Sequence, residues 1–161
     1  MHIQLCISRL VEEEGKKHPT AGGLRIGKKL RERSVSDPID SNTEWDKDGQ
    51  YYHYLTKWTC ALHQLSEYFD DSRYNSWATE LLSVAADKFV YSSGVGQQRM
   101  YWKMRIDLSR PQVSSMGAHD PLDGYVTLSK IMSKSTAPDD ELEKKTSDVS
   151  VHDLEHLDEH R

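Results

Sequence analysis

The sequence predicts an all-α fold of antiparallel helical hairpins, and three observations carry that prediction. Tyr51, Tyr54, Leu55, Trp58, Ala61, Leu62, Leu65 and Phe69 recur at the three-four step of an amphipathic helix. Tyr74, Trp77, Ala78, Leu81, Ala85 and Phe89 repeat that step over a similar length. Between the two stripes, Asp70-Asp71-Ser72 forms a tight connection. A connection that short, rich in N-cap residues, makes the second helix fold back on the first.

Taken in order, Ile3, Ile7, Leu10 and Val11 form a short helical stripe that Gly15 and His18-Pro19 end. A long loop follows, through Asp37-Pro38 to Asn42. Its glycines at 22, 23 and 27 fit neither the dinucleotide nor the phosphate-loop pattern, and no strand-then-helix context surrounds them. Nucleotide binding is excluded on that ground. The central helix is expected over about residues 49–69, with the Asp48 carboxylate accepting from the first-turn N–H groups. After the second helix, Met100, Trp102, Met104, Ile106 and Leu108 alternate with Tyr101, Lys103, Arg105 and Asp107. That period of two predicts a short extended segment near residues 99–108. Asp120 then reads as an N-cap with Pro121 at the first helical position, continued by Leu122, Tyr125, Val126 and Ile131 or Met132. From Ser133 the composition turns to Ser, Thr, Pro and dense charge, so residues 1–132 read as a helical domain and 133–161 as a flexible charged tail.

Two reversals of direction have a consequence for chemistry. The blocks W-D-K-D-G, Y-W-K-M-R-I-D and M-G-A-H-D should meet at one end of the helical array. Asp46, Asp48, Asp120 and Asp123 would then bring together carboxylates able to act as acid and base, with His53 and His119 as proton carriers. Trp45, Tyr52 and Tyr101 are the candidates for a stacking platform, since ring faces match the apolar C–H faces of sugars. Lys103, Arg105 and Asp107 are candidates for binding polar and acidic substrate groups. Each has a plainer competitor: Asp48 and Asp120 could only cap helices, and the histidines could be structural. Tyr54 and Trp58, on the apolar stripe, are expected in the core.

Composition narrows the classes further. The net charge of −5 over 161 residues argues against a nucleic-acid binder, because phosphate neutralisation needs a basic surface. Two cysteines make no disulfide framework and suit a reducing, cytoplasmic setting. No apolar run reaches the length of a membrane span, and residues 1–10 lack the pattern of an export leader. The tail carries H-D-L-E-H from His152 to His156, but only Arg161 follows its second copy, so no third ligand is at hand. No metal and no cofactor are expected.

The passages G-G-L-R-I-G-K, E-W-D-K-D-G-Q-Y-Y-H-Y-L-T-K-W, R-M-Y-W-K-M-R-I-D-L-S-R-P and S-M-G-A-H-D-P-L-D-G resemble an uncharacterised family of the six-hairpin glycosidase-like superfamily. The resemblance covers roughly residues 15–127 in order. It implies an (α/α)6 toroid of which this chain is a partial segment, with about two of the six hairpins. It also implies sugar-processing relatives, and the leading expectation is a carbohydrate-active enzyme that hydrolyses glycosides of a small-molecule carbohydrate with these carboxylates as acid and base. Relatives of that kind include sugar epimerases, which would use His53 and His119, and a non-catalytic helical remnant is the third reading. A partial toroid would expose inner-helix apolar surface and self-associate through it.

Overall fold

The computed structural model describes residues 12–94, 98–114 and 119–132. The stripe Ile3 to Val11, the block Ser115 to Ala118 and the tail 133–161 with its histidines lie outside the described residues.

Helix α1 is Glu12–Lys17. A long loop leads to a 3-10 turn, Glu44–Asp46, and to strand β1, Gln50–Tyr51. Helices α2 (Tyr52–Phe69) and α3 (Ser72–Phe89) follow, each of 18 residues. Strands β2 (Val90–Ser92), β3 (Gln98–Met100), β4 (Lys103–Met104) and β5 (Pro111–Val113) precede α4, His119–Met132. About half of the described residues are helical, and the strands form two antiparallel sheets, β1-β4-β5 and β2-β3. The all-α toroid is therefore corrected to a mixed fold.

The physical reason lies at the start of α2. Tyr51 precedes the helix in an extended conformation and no side chain caps it. Gln50 and Tyr51 instead pair with Met104 and Lys103, and Tyr52 N donates to Trp102 O at 3.1 Å. The expected cap, Asp48, points its carboxylate elsewhere. The alternating segment is likewise broken: β3 runs to Met100 and pairs with β2, Tyr101 N returns to Phe89 O, and β4 pairs on its other edge with β5. A chain partnered on both edges satisfies its backbone as sheet, whatever helical periodicity surrounds it.

α2 and α3 are antiparallel, since Tyr52 packs its ring on Phe89 at 5.6 Å while His63 bonds Asn75 near the turn. Asp70 closes α2 in the left-handed region, and Asp71 caps α3 by accepting from Arg73 N. Leu55 and Leu62 of α2, Leu81, Leu82, Ala85 and Phe89 of α3, and Leu128 and Ile131 of α4 form the core with Met100 and Met104. α4 lies parallel to α2: Asp123 meets Thr56 and Lys57, and Thr127 meets Cys60 one turn further on. Gly124 permits that approach, because a Cβ there would stand 2.0 Å from the Tyr52 hydroxyl. α4 begins at His119, so Asp120, expected as the N-cap with Pro121 first in the helix, lies within its first turn. Among the described residues no helix is long and apolar enough to cross a membrane.

Candidate functional site

The parallel setting of α2 and α4 puts both helix starts at one end of the molecule, and the β1-β4 pairing brings residues 103–104 to the same end. Two of the polar blocks, W-D-K-D-G and Y-W-K-M-R-I-D, meet there, while Met116 to Ala118 and the side chains of His119 and Asp120 lie outside the described residues. With the loop before them, the two blocks build a buried polar knot.

Lys103, wholly buried, donates from Nζ to Glu44 Oε1 at 2.9 Å, Glu44 O at 3.1 Å and Lys47 O at 3.1 Å. Glu44 is also buried, with Arg33 Nε at 3.3 Å and Lys47 Nζ at 3.6 Å from Oε2. Burial holds the Lys103 ammonium below its usual pKa, against the opposing pull of Glu44. Tyr51, under Lys28 at 4.5 Å and Lys103 at 5.0 Å, donates to Lys47 O at 2.8 Å. Its own burial, then the charges of Glu44 and Asp48, push its pKa upward.

Asp48 is only 1% exposed. Its Oδ2 takes Arg25 Nε at 2.5 Å, while Oδ1 accepts from Gly27 N at 3.1 Å and Gly49 N at 2.9 Å. Gln50 accepts from Leu24 N at 2.6 Å and donates to Gly22 O and Ile106 O. Gly23 and Gly27 have φ of 74° and 68°, the left-handed region that favours glycine. A Cβ on Gly23 would also stand 2.1 Å from Gln50 Oε1. The G-G-L-R-I-G block is thus a cradle for D-G-Q. Sequence reasoning had treated the two blocks separately, and missed Glu44 as the hub of the knot with Arg33 beside it, and Arg25 and Gln50 as ties between the loop and the D-G-Q block. The signal available was the co-occurrence of loop glycines with a D-G-Q block.

The remaining candidates divide by location. Asp123 is tied to Lys57 at 2.8 Å and to Thr56 Oγ1 at 2.9 Å. Arg105 meets Glu32 at 3.1 Å, whose hydrogen bond raises the guanidinium pKa; Asp107 accepts from Ser109 N and Oγ. Tyr52 is core, and Tyr101 packs against that core and stacks on Tyr91 at 4.1 Å. His119 and Asp120 start α4, and their side chains lie outside the described residues.

Above the knot is a ring cluster. The half-exposed Trp45 (48%) meets buried Trp102 edge-on at 4.3 Å. His53 stacks on Trp102 at 5.9 Å and lies 4.3 Å from Tyr54. Asp46 is exposed beside Trp45, and Lys28 Nζ donates to Trp45 O. Tyr54 and Trp58, expected in the core, are exposed on the outer face of α2. Among the described residues no group of three His, Cys, Asp or Glu side chains comes together to hold a metal.

Comparison with protein-family models, curated proteins and solved structures finds no match to this chain.

Proposed function

We propose that this chain is carbohydrate-directed, with the rim of the α2 mouth as its sugar-facing surface. The observation that carries this reading is the setting of Trp45. Its half-exposed indole is braced by Trp102, on which His53 also stacks, and Asp46 follows it in the chain, over a base of buried charges. A braced ring offers a flat apolar face at little conformational cost, and the neighbouring carboxylate and imidazole supply hydroxyl partners.

For glycoside hydrolysis a second step is needed, in which one carboxyl protonates the leaving oxygen and another activates water. Asp48 and Asp123 fit neither role well, since each is engaged by a cation and further donors. Asp46 is the remaining candidate from the W-D-K-D-G block, and Asp120 from M-G-A-H-D. A purely binding role is the second reading, and the engagement of Asp48 and Asp123 favours it.

A panel of neutral and acidic mono- and oligosaccharides, followed by tryptophan fluorescence and by product release, tests both. Binding lost in Trp45→Ala and turnover lost in Asp46→Asn support the hydrolase. Binding without turnover in the unaltered chain leaves the binding module, and no response to any sugar removes the carbohydrate reading.

A further inference from the structure

The loop that leaves α1 is fastened against α3, and a groove of about 570 Å³ opens where the two meet. Trp77 Nε1 donates to Lys17 O at 3.2 Å, and His18 Nδ1 donates to Glu80 Oε1 at 2.7 Å. Thr20, itself buried, sets its hydroxyl 2.9 Å from Trp77 O and 2.5 Å from Glu80 Oε2. Ser76, Thr79, Glu80 and Ser83 recur at the three-four step, so one face of α3 brings them all to the groove. Counting protons shows what this lining offers a ligand. A hydroxyl carries one proton. Ser76 gives its own to Ser72 O at 3.2 Å, and Thr79 gives its own to Asn75 O at 3.0 Å. Both keep only lone pairs for a ligand. An ionised carboxylate has about four acceptor directions, of which His18 and Thr20 take two at Glu80. The Glu80 side chain is 23% exposed, which leaves the others open to the groove. Asn75, whose Oδ1 faces His63, and Ser83 retain protons to give, and both are neutral.

We propose that this groove binds the ammonium group of a small primary amine, with Glu80 as counter-charge and the Thr79 and Ser76 hydroxyls as further acceptors. An ammonium has three donors and no acceptor, which is the complement of that set. Glu80 is the one formal charge among the described residues that line the groove, and the net charge of −5 favours the approach of a cation. A divalent metal fits poorly, because calcium and magnesium want about six oxygen ligands or more and a single carboxylate is on hand. Val84 and Ala21 give the alkyl stem an apolar wall, and the volume lies within the range of about 300–1,000 Å³ usual for small-molecule sites. The His63–Asn75 contact sets this part of α3 toward the hairpin turn, at the other end of the helix from the α2 mouth. The amine site and the sugar-facing rim therefore stand or fall separately.

Calorimetric titration of the full chain with butan-1-amine and with butan-1-ol tests this, alongside amide NMR shifts. The amine should bind at least about tenfold more tightly than the alcohol, since only it carries charge to Glu80. Its shifts should centre on residues 75–84 of α3. Glu80→Gln should weaken the amine by about tenfold or more. That change also touches His18 and Thr20, so Thr79→Val is the second variant: it leaves the loop contacts in place and should weaken binding by about threefold, with the helical circular dichroism unchanged. No binding of the amine overturns the proposal. So does an alcohol that binds as tightly, a set of shifts that lies elsewhere, or an affinity that neither substitution alters.

Discussion

Asp46 and Asp48 stand two residues apart and their carboxylates live in different media. Asp48 is enclosed, with one cation and two backbone N–H groups on its oxygens, whereas Asp46 faces water. Hydrogen bonds to a buried charge are each worth about 1.5–3 kcal/mol, and an orphaned partner costs its desolvation as well. Asp48→Asn keeps the shape but turns an acceptor oxygen into an NH2 that faces existing donors. We expect it to lower unfolding free energy by about 2–3 kcal/mol in urea titration. Asp46→Asn should change it by less than about 0.5 kcal/mol. Equal effects would mean that Asp48 is no staple. The contrast also matters for function, because loss of sugar response in Asp48→Asn would report a collapsed base, and only Asp46 can be read as chemistry.

At the scale of elements, the α2–α3 hairpin turns through Asp70, which holds φ 50° and ψ 44° where glycine is the usual occupant. A side chain in that region costs up to about 1–2 kcal/mol, and somewhat less for Asp, which tolerates it. Asp70→Gly should therefore raise the melting temperature by a few degrees, and Asp70→Val should lower it. A fall for glycine would show that the carboxylate, not the backbone, sets the turn. This hairpin was legible in the sequence because its stripes and its two-residue connection are local signals. The start of α2 was not. Its first-turn geometry depends on Gln50 and Tyr51 pairing with residues more than fifty positions away, and no local pattern announces that partner. Trp58 misled for the opposite reason: periodicity marks a residue as apolar-faced without saying whether this chain supplies the covering surface. Of the site, the meeting of the W-D-K-D-G and Y-W-K-M-R-I-D blocks was readable from connection lengths. The conversion of Asp48 and Lys103 into buried supports was not, because burial is a property of the assembled fold.

The whole molecule joins two kinds of interior. One is the apolar packing of α2, α3 and α4; the other is the charged knot that fastens the long loop, the 3-10 turn and the β1-β4-β5 sheet to it. In the knot, Glu44 serves Lys103, Arg33 and Lys47 at once, whereas Lys103 has only Glu44 as counter-charge among the described residues. The two halves of the pair are therefore unequal. Lys103→Met leaves Glu44 with two cations, while Glu44→Met strands a fully buried ammonium, a change worth about 3–5 kcal/mol. We expect the Glu44 substitution to be the more damaging, and the double variant to recover part of that loss in a urea-denaturation cycle. Its pH dependence has a definite sign. The folded pKa of Lys103 already lies below the ordinary lysine value of 10.5 through burial, and removing Glu44 lowers it further. Between that lowered pKa and 10.5 the unfolded chain binds the extra proton, so stability rises with pH across this window. The Glu44→Met deficit should thus be smaller at pH 10 than at pH 7. A deficit that is flat or that deepens toward pH 10 would show that the cage is held by its carbonyl contacts to Lys103 and not by the buried charge pair.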